Sequence, residues 1–351
     1  MTPDLFFSGA ELEEFQRGID RLFPTNSFQA EEILETILSG DPKGAIHILF
    51  DGLMSEISAP ITGARNLFLW LLVLGLLSSL LSHFAGALEV HQTADLSFLV
   101  CFLLFTTVLL KNFTQMSAVT QEALEEIVLF MNLLIPTFLV TVGLALGSTG
   151  AALTGQIMVL VVYGVEKLLQ GVLLPGISCY MMLSLVNSLW IEEKMNLLID
   201  LTAKGIRWIL KGCIGVITGV SVFQSFLSPV LMIPGKAAVK KIVGMIPGAG
   251  DLAEGAVELV MGSAMVMKNS VGIVMMLLLL ALCVKPLVKI AVTAIALKAA
   301  AAFMGLVSDK RLCLCIDRAG DAGLLLFKTL GTGMVLFFIA MAVVTAQAAV
   351  F

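Results

Sequence analysis

Long apolar stretches, most of them long enough to cross a bilayer, constrain this chain more than any other feature. They cover residues 67–88, 96–110, 127–146, 156–174, 176–190, 206–233, 271–284, 287–307 and 324–350. A membrane helix needs about 20 apolar residues to cross a hydrocarbon core of about 30 Å. Only 13% of the residues are charged, against about 25% in soluble domains. The sequence therefore predicts an all-α, polytopic helical membrane protein. It excludes an ordinary soluble enzyme, a disordered chain and a secreted disulfide scaffold.

Charge is distributed unequally along the chain. Residues 1–66 contain eleven acidic and four basic residues, whereas the rest contains fifteen acidic and seventeen basic residues. Apolar residues recur at helical spacing in the acidic segment, and Pro24 and Pro42 interrupt them. We predict an acidic amphipathic helical segment over residues 1–66, either a cap on the membrane surface or a partner-docking domain. No basic stripe suggests nucleic-acid binding.

Short motifs recur at a nearly constant offset in the membrane region. Asp200 and Lys211 recur as Asp317 and Lys328, and both offsets are 117 residues. Such self-similarity indicates an internal duplication, with chance matching of apolar residues as the alternative. We predict a tandem repeat of four-helix units and about nine to ten membrane segments. The predicted parts are the N-terminal segment 1–66, two leading transmembrane helices in 67–126, repeat unit 1 in 127–233 and repeat unit 2 in 234–351.

The repeat has a consequence for membrane topology. The polar stretches 191–207 and 308–321 would lie on the same side of the bilayer, because four crossings separate them. Both stretches contain several lysines and arginines. The excess of basic residues in cytoplasmic loops predicts that this side is cytoplasmic.

A segment within repeat unit 2 combines a helix break with acidic and small residues. The sequence Pro-Gly-Ala-Gly at 247–250 predicts a turn, and Asp251 suits the first turn of a following helix. We predict an amphipathic helix over 251–268 with its acids on one face. This face either lines a polar path or contacts a partner, or the helix lies at the interface with its acids in water. The candidate residues are Asp251, Glu254, Gly255, Glu258, Gly262, Lys268 and Asn269.

Glu166 and Lys167 interrupt the apolar stretch 156–174 and form a candidate intramembrane charge pair. Adjacent residues on a helix project about 100° apart, so they are not a clean ion pair. Either the two residues act as an intramembrane relay or gate, or the span ends there and both lie at an interface.

Motifs for bond chemistry are absent from the sequence. It contains no GxxxxGK[ST] phosphate loop, no HExxH zinc motif and no GxSxG nucleophile motif. No nucleophile and base pattern is visible. The sequence therefore argues against an enzyme and predicts neither a metal nor a cofactor.

The segment around the acidic helix resembles the stage III sporulation protein AE family. The resemblance rests on residues 246–252 (IPGAGDL), 254–258 (EGAVE), 262–264 (GSA) and 268–272 (KNSVG). It covers most of the chain after about residue 60. The acidic helix and the KNSVG element give it specificity, because apolar spans are common to many membrane proteins.

This resemblance implies a multi-pass protein of the mother-cell (outer forespore) membrane. Such a protein would be a core component of the channel or transport complex that joins mother cell and forespore. Its implied partners are the other stage III sporulation operon membrane proteins, the associated ATPase, indirectly stage II sporulation protein Q, and further copies of itself. The resemblance implies no catalytic residues. The alternatives are a stand-alone secondary transporter with its site between the repeats, and a passive membrane scaffold.

Overall fold

The computed structural model of the chain describes residues 42–87, 91–146, 160–190, 194–227 and 279–350. Within these ranges the chain is helical, with short turns and without strands. This confirms the all-α prediction for the described part of the chain. Its helices are α1 (Pro42–Ala87), α2 (His91–Leu146), α3 (Leu160–Leu189), α4 (Asn196–Leu227), α5 (Leu279–Met304) and α6 (Lys310–Val350).

Five of these helices contain a segment that is long and apolar enough to cross a membrane. The segments are Ser58–Leu81, Phe98–Phe130, Leu160–Leu189, Leu279–Met304 and Lys310–Ala340. The described part of α4 carries four charged residues within three turns, Asp200, Lys204, Arg207 and Lys211. Helix α2 has 56 residues, which corresponds to about 84 Å at 1.5 Å per residue. It is therefore much longer than a bilayer core of about 30 Å.

Three predicted breaks between membrane spans are wrong. Helix α2 is continuous from His91 to Leu146, where spans 96–110 and 127–146 were expected to be separate. The chain continues as helix through Pro175, where spans 156–174 and 176–190 were expected to be separate, and through Pro286 in α5. Near Pro175 the helix widens into a π turn over Leu169–Leu173, and the N–H of Leu174 donates to the carbonyl of Leu169. Such a local change of register accommodates a proline without ending the helix.

Two of the three predicted domain boundaries fall inside helices. The boundary after residue 66 lies inside α1, the boundary after 126 lies inside α2, and the boundary after 233 lies outside the described residues. The count of nine to ten membrane segments stays a prediction, as does the tandem repeat. Both depend on 147–159 and 228–278, which lie outside the described residues.

Helix α6 is the central element of the bundle. It packs against α2, α3 and α4, while α1 packs against α2 and α3 packs against α4. The rings of Phe130 on α2 and Phe337 on α6 meet edge to face at 5.7 Å between centroids. Both rings are fully buried, together with Leu71, Leu124 and Leu326. These contacts place the core along the inner face of α6.

Helix α5 reaches α6 through two glycines. A Cβ added at Gly323 would lie 2.9 Å from the Cβ of Ala294 on α5 and 3.2 Å from the sulfur of Met116 on α2. A Cβ added at Gly320 would lie 2.9 Å from the side chain of Lys298. Small residues permit such close approach of membrane helices. The glycines therefore set the distance between α5 and α6.

We expect the substitution Gly323→Ala to destabilise the bundle by about 1–3 kcal/mol, the usual cost of overpacking. The Cβ of Ala294 has no rotamer by which it can move away. Gly331→Ala on the same helix is the matched control, because no described atom lies within 4 Å of its added Cβ. The control should be neutral or stabilise by up to about 1 kcal/mol through helix propensity. Unfolding of both variants in detergent tests this, and equal stability would contradict the packing argument.

The outer surface of the bundle is apolar. Trp70, Leu103, Val172 and Ile295 each expose more than half of their surface. In a water-soluble protein a surface of this kind would favour aggregation or partner binding. On helices long enough to cross a bilayer it is the surface that contacts lipid.

Candidate functional site

The acidic helix predicted at 251–268 lies outside the described residues. This applies to every candidate on it, namely Asp251, Glu254, Gly255, Glu258, Gly262, Lys268 and Asn269. Their proposed roles stay predictions that rest on the sequence. The described residues place polar groups inside the bundle at other positions.

Glu166 and Lys167 point to different sides of α3. Glu166 retains 5% of its accessible surface, whereas Lys167 is exposed and its amine lies 5.6 Å from the centroid of the Tyr163 ring. Within the described part of the chain, neither carboxylate oxygen of Glu166 has a hydrogen-bond partner. The two residues therefore do not act as a buried ion pair, as their adjacency on a helix predicted.

A buried thiol on another helix lies near the Glu166 carboxyl and also near a second acid. Cys283 on α5 is fully buried and lies within electrostatic range of both Glu166 and Glu126 on α2. Glu126 is only partly buried and lies near Glu122 and Lys285. We call the set of Glu126, Glu166 and Cys283 the acid cluster. It joins α2, α3 and α5.

Helix packing places the turns that carry the two acids at one level of the bundle. Leu124 and Leu169 each lie within one helical turn of an acid of the cluster. A Cβ added at Gly333 of α6 would lie 2.7 Å from Leu124 and 3.6 Å from Leu169. The missing side chain of Gly333 thus lets α2 and α3 pack on α6 at the same level. That packing brings the acid-bearing turns of α2 and α3 together.

A second polar group joins α5 to α6. The amine of Lys298 lies 2.8 Å from a carboxylate oxygen of Asp317 and 2.7 Å from one of Asp321. Lys298 retains 30% of its side-chain surface and each aspartate 43%. Asp317 and Asp321 are four residues apart and therefore lie on one face of α6. The lysine stem crosses Gly320 to reach both.

A hydrogen-bonded junction lies beside this group, where α3 turns into α4. The guanidinium of Arg318 donates to the side-chain oxygen of Asn196. The same oxygen accepts from the amide of Asn187 at 3.0 Å, and Asn187 accepts the backbone N–H of Met195 at 2.9 Å. Asn187 is almost completely buried. This junction fixes the start of α4 against α6, so the polar stretches around 194 and 310 lie at one end of the bundle.

Sequence reasoning did not single out Lys298, Asp321 or Asn187. The four-residue spacing of Asp317 and Asp321 was a visible signal for a shared helix face. The partner of these acids depends on how α5 packs on α6, and spacing along the chain does not encode that.

We expect the two ion pairs of Lys298 to substitute for each other. Asp317→Asn or Asp321→Asn alone should cost about 0.5–1 kcal/mol, the range of partly exposed pairs. The double variant should cost more than the sum, because Lys298 then loses both carboxylates. A double-mutant cycle on unfolding in detergent measures this coupling, with Asp200→Asn as the control for loss of an exposed acid. Strict additivity would show that the two pairs are independent.

The two polar groups lie at different depths of the bundle. Cys283 and Lys298 are fifteen residues apart on α5, which corresponds to about 22 Å along the helix. Between them the described interior is mainly apolar. The acid cluster and the Lys298 group are therefore separate sites.

Within the part of the chain that the structure describes, no three His, Cys, Asp or Glu residues converge to hold a metal ion. A buried carboxyl without a partner can exchange a proton or attract a cation. The described side chains therefore include a group that can handle a proton or an ion.

Comparison with known proteins gives the family. Residues 28–348 match the family described as Stage III sporulation protein AE. The Stage III sporulation protein AE of Bacillus subtilis (strain 168) is 22% identical over 326 residues, which cover 89% of this chain and 78% of that protein. No solved structure matches. The family match spans most of the sequence and confirms the resemblance carried by residues 246–272. The chain therefore belongs to the stage III sporulation protein AE family.

Proposed function

We propose that this protein is an integral membrane core component of the channel or transport complex that joins mother cell and forespore. In this role it lies in the mother-cell membrane as a subunit of that complex and is needed for forespore development. Membership of a family of sporulation proteins supports the proposal. The observation that carries it is the architecture, in which apolar helices expose their large side chains and enclose the acid Glu166.

The proposed partners are the other membrane proteins of the stage III operon, their ATPase, further copies of the chain and, indirectly, stage II sporulation protein Q. The proposed contact surface is the acidic helix at 251–268. Its acidic and glycine-containing face suits either a partner helix or a polar path. This part of the proposal rests on the sequence alone.

Deleting the gene in its own host tests the proposed function. We expect cells that engulf the forespore but form fewer heat-resistant spores by orders of magnitude, with recovery on re-expression. Spore formation at the wild-type level would refute the proposal. A double substitution of Glu254 and Glu258 by Leu then tests the contact surface, and unchanged spore formation and unchanged co-purification of partners would reject it.

A secondary transporter is the second candidate function, and one observation favours it. Glu166 is a buried acid without a hydrogen-bond partner, and such acids mark ion and proton pathways in transporters. Substrate uptake by the purified chain alone in liposomes would favour this alternative. Dependence of every transport signal on the partner proteins would favour a subunit of a complex.

A further inference from the structure

The side chain of Glu166 lies in an environment that does not suit a charged carboxylate. It retains 5% of its accessible surface, and neither oxygen accepts a hydrogen bond from any residue that the structure describes. Apolar residues surround its turn, including Val162, Val165 and Leu169. An ionised carboxylate without donors in such a site costs several kcal/mol or more. The group therefore needs a proton or a cation to become neutral.

Among the residues that the structure describes, no cation bonds the Glu166 carboxyl, although Lys167 acts on it electrostatically from the outer side of α3. On its own helix, Lys167 points outward and lies over Tyr163. Helix α5 presents the thiol of Cys283. Helix α2 presents Glu126, with Glu122 and Lys285 beside it. On the described part of α6, Lys328 is exposed and no titratable residue follows it. The part of α6 that packs against the turns of the two acids contains Gly333.

In the acid cluster, the buried carboxyl and an acid at a wetter position both lie near one thiol. Glu166 is the buried member, Cys283 lies near both acids, and Glu126 is only partly buried beside the exposed Glu122. The backbone of α3 is also irregular here, since the π turn begins three residues after Glu166. Pro175 has no N–H to donate to the next carbonyl in this turn. π turns within helices occur frequently at functional sites.

We propose that Glu166 is a proton-binding residue of the membrane bundle and exchanges its proton with water by way of Glu126. Uptake forms one O–H bond on Glu166 and removes one negative charge from the interior, and release reverses both changes. Lys167 is not part of this exchange. The proposal does not depend on the role in sporulation, because it concerns the purified chain.

Infrared spectroscopy of the chain in lipid vesicles tests the proposal directly. At neutral pH we expect the C=O absorption of a protonated carboxyl in the wild type and its loss in Glu166→Gln. The band should also disappear from the wild type as the pH is raised. Glu125→Gln is the matched control, since Glu125 is exposed on α2 and accepts a hydrogen bond from the side-chain amide of Gln121. The control should keep the band.

Any result other than the expected one would contradict one part of the proposal. An identical carboxyl band in wild type and Glu166→Gln would show that Glu166 is not protonated. A carboxylate band that shifts when choline is replaced by sodium would show a cation site instead. Glu126→Gln should keep the band but change the pH at which it disappears, and an unchanged pH would remove Glu126 from the exchange. Helical content measured by circular dichroism shows that the variants are folded.

Discussion

Replacing Glu166 by Leu is expected to make the purified bundle more stable while spore formation falls. The two side chains have similar volumes, and the substitution removes a buried polar group that has no hydrogen-bond partner. Removing such a group is expected to stabilise the protein by about 1–3 kcal/mol, the cost of leaving it unsatisfied. Thermal or denaturant unfolding in detergent measures this gain. A residue retained at a cost to stability indicates a functional role.

The second measurement for Glu166→Leu is the yield of heat-resistant spores in the host. We expect a loss of at least the size produced by Glu166→Gln, because neither variant can bind and release a proton. Glu125→Gln, on the exposed face of α2, should leave both stability and spore formation unchanged. A less stable Glu166→Leu variant would mean that the carboxyl supports the fold. A stable variant with normal sporulation would mean that the acid has no role in development.

Asn187→Leu is expected to destabilise the protein strongly. Asn187 is nearly fully buried, accepts the N–H of Met195 and donates to Asn196, which also binds Arg318. The substitution leaves a backbone donor and the Asn196 oxygen with fewer partners, and each unsatisfied group costs about 1–3 kcal/mol. We therefore expect a loss of about 2–4 kcal/mol on unfolding. Faster proteolysis between α3 and α4 should accompany it.

Ser184→Ala is the matched control for Asn187→Leu. Ser184 is equally buried on α3, but the hydrogen bonds that the described residues give it stay within the same helix: its hydroxyl donates to the carbonyl of Tyr180 and also bonds the Tyr180 side chain. That carbonyl has a backbone donor as well, so the loss should stay below about 1 kcal/mol. If both variants lose the same stability, burial rather than the junction accounts for the effect.

The general architecture could be predicted from the sequence because lipid imposes a simple rule. Apolar stretches of sufficient length must be helices, since a chain in hydrocarbon has to satisfy its own backbone groups. The polar stretches near 191 and 308 likewise predicted the turns that the structure has before Asn196 and Lys310. The predicted helix breaks at Pro175 and Pro286 are wrong. In water a proline would end the helix. In a packed bundle, a π turn and contacts with neighbouring helices keep the chain helical at that position.

The candidate site could be predicted only in part. An acid within an apolar stretch identified Glu166, and adjacency on a helix predicted that Lys167 would not pair with it. Glu126 and Cys283 are 40 residues before and 117 residues after Glu166, so only tertiary packing brings them near. The ion pairs of Lys298 depend on the same packing.

The close contact between α5 and α6 restricts the movement of these two helices relative to each other. Gly320 and Gly323 bring these two helices together, and Lys298 ties them through two carboxylates, so sliding one past the other would break contacts along the whole pair. Helix α3 has a widened turn instead, where its backbone is least regular. Of these three helices, α3 therefore has the backbone least constrained against bending, at a turn that begins three residues from the buried acid.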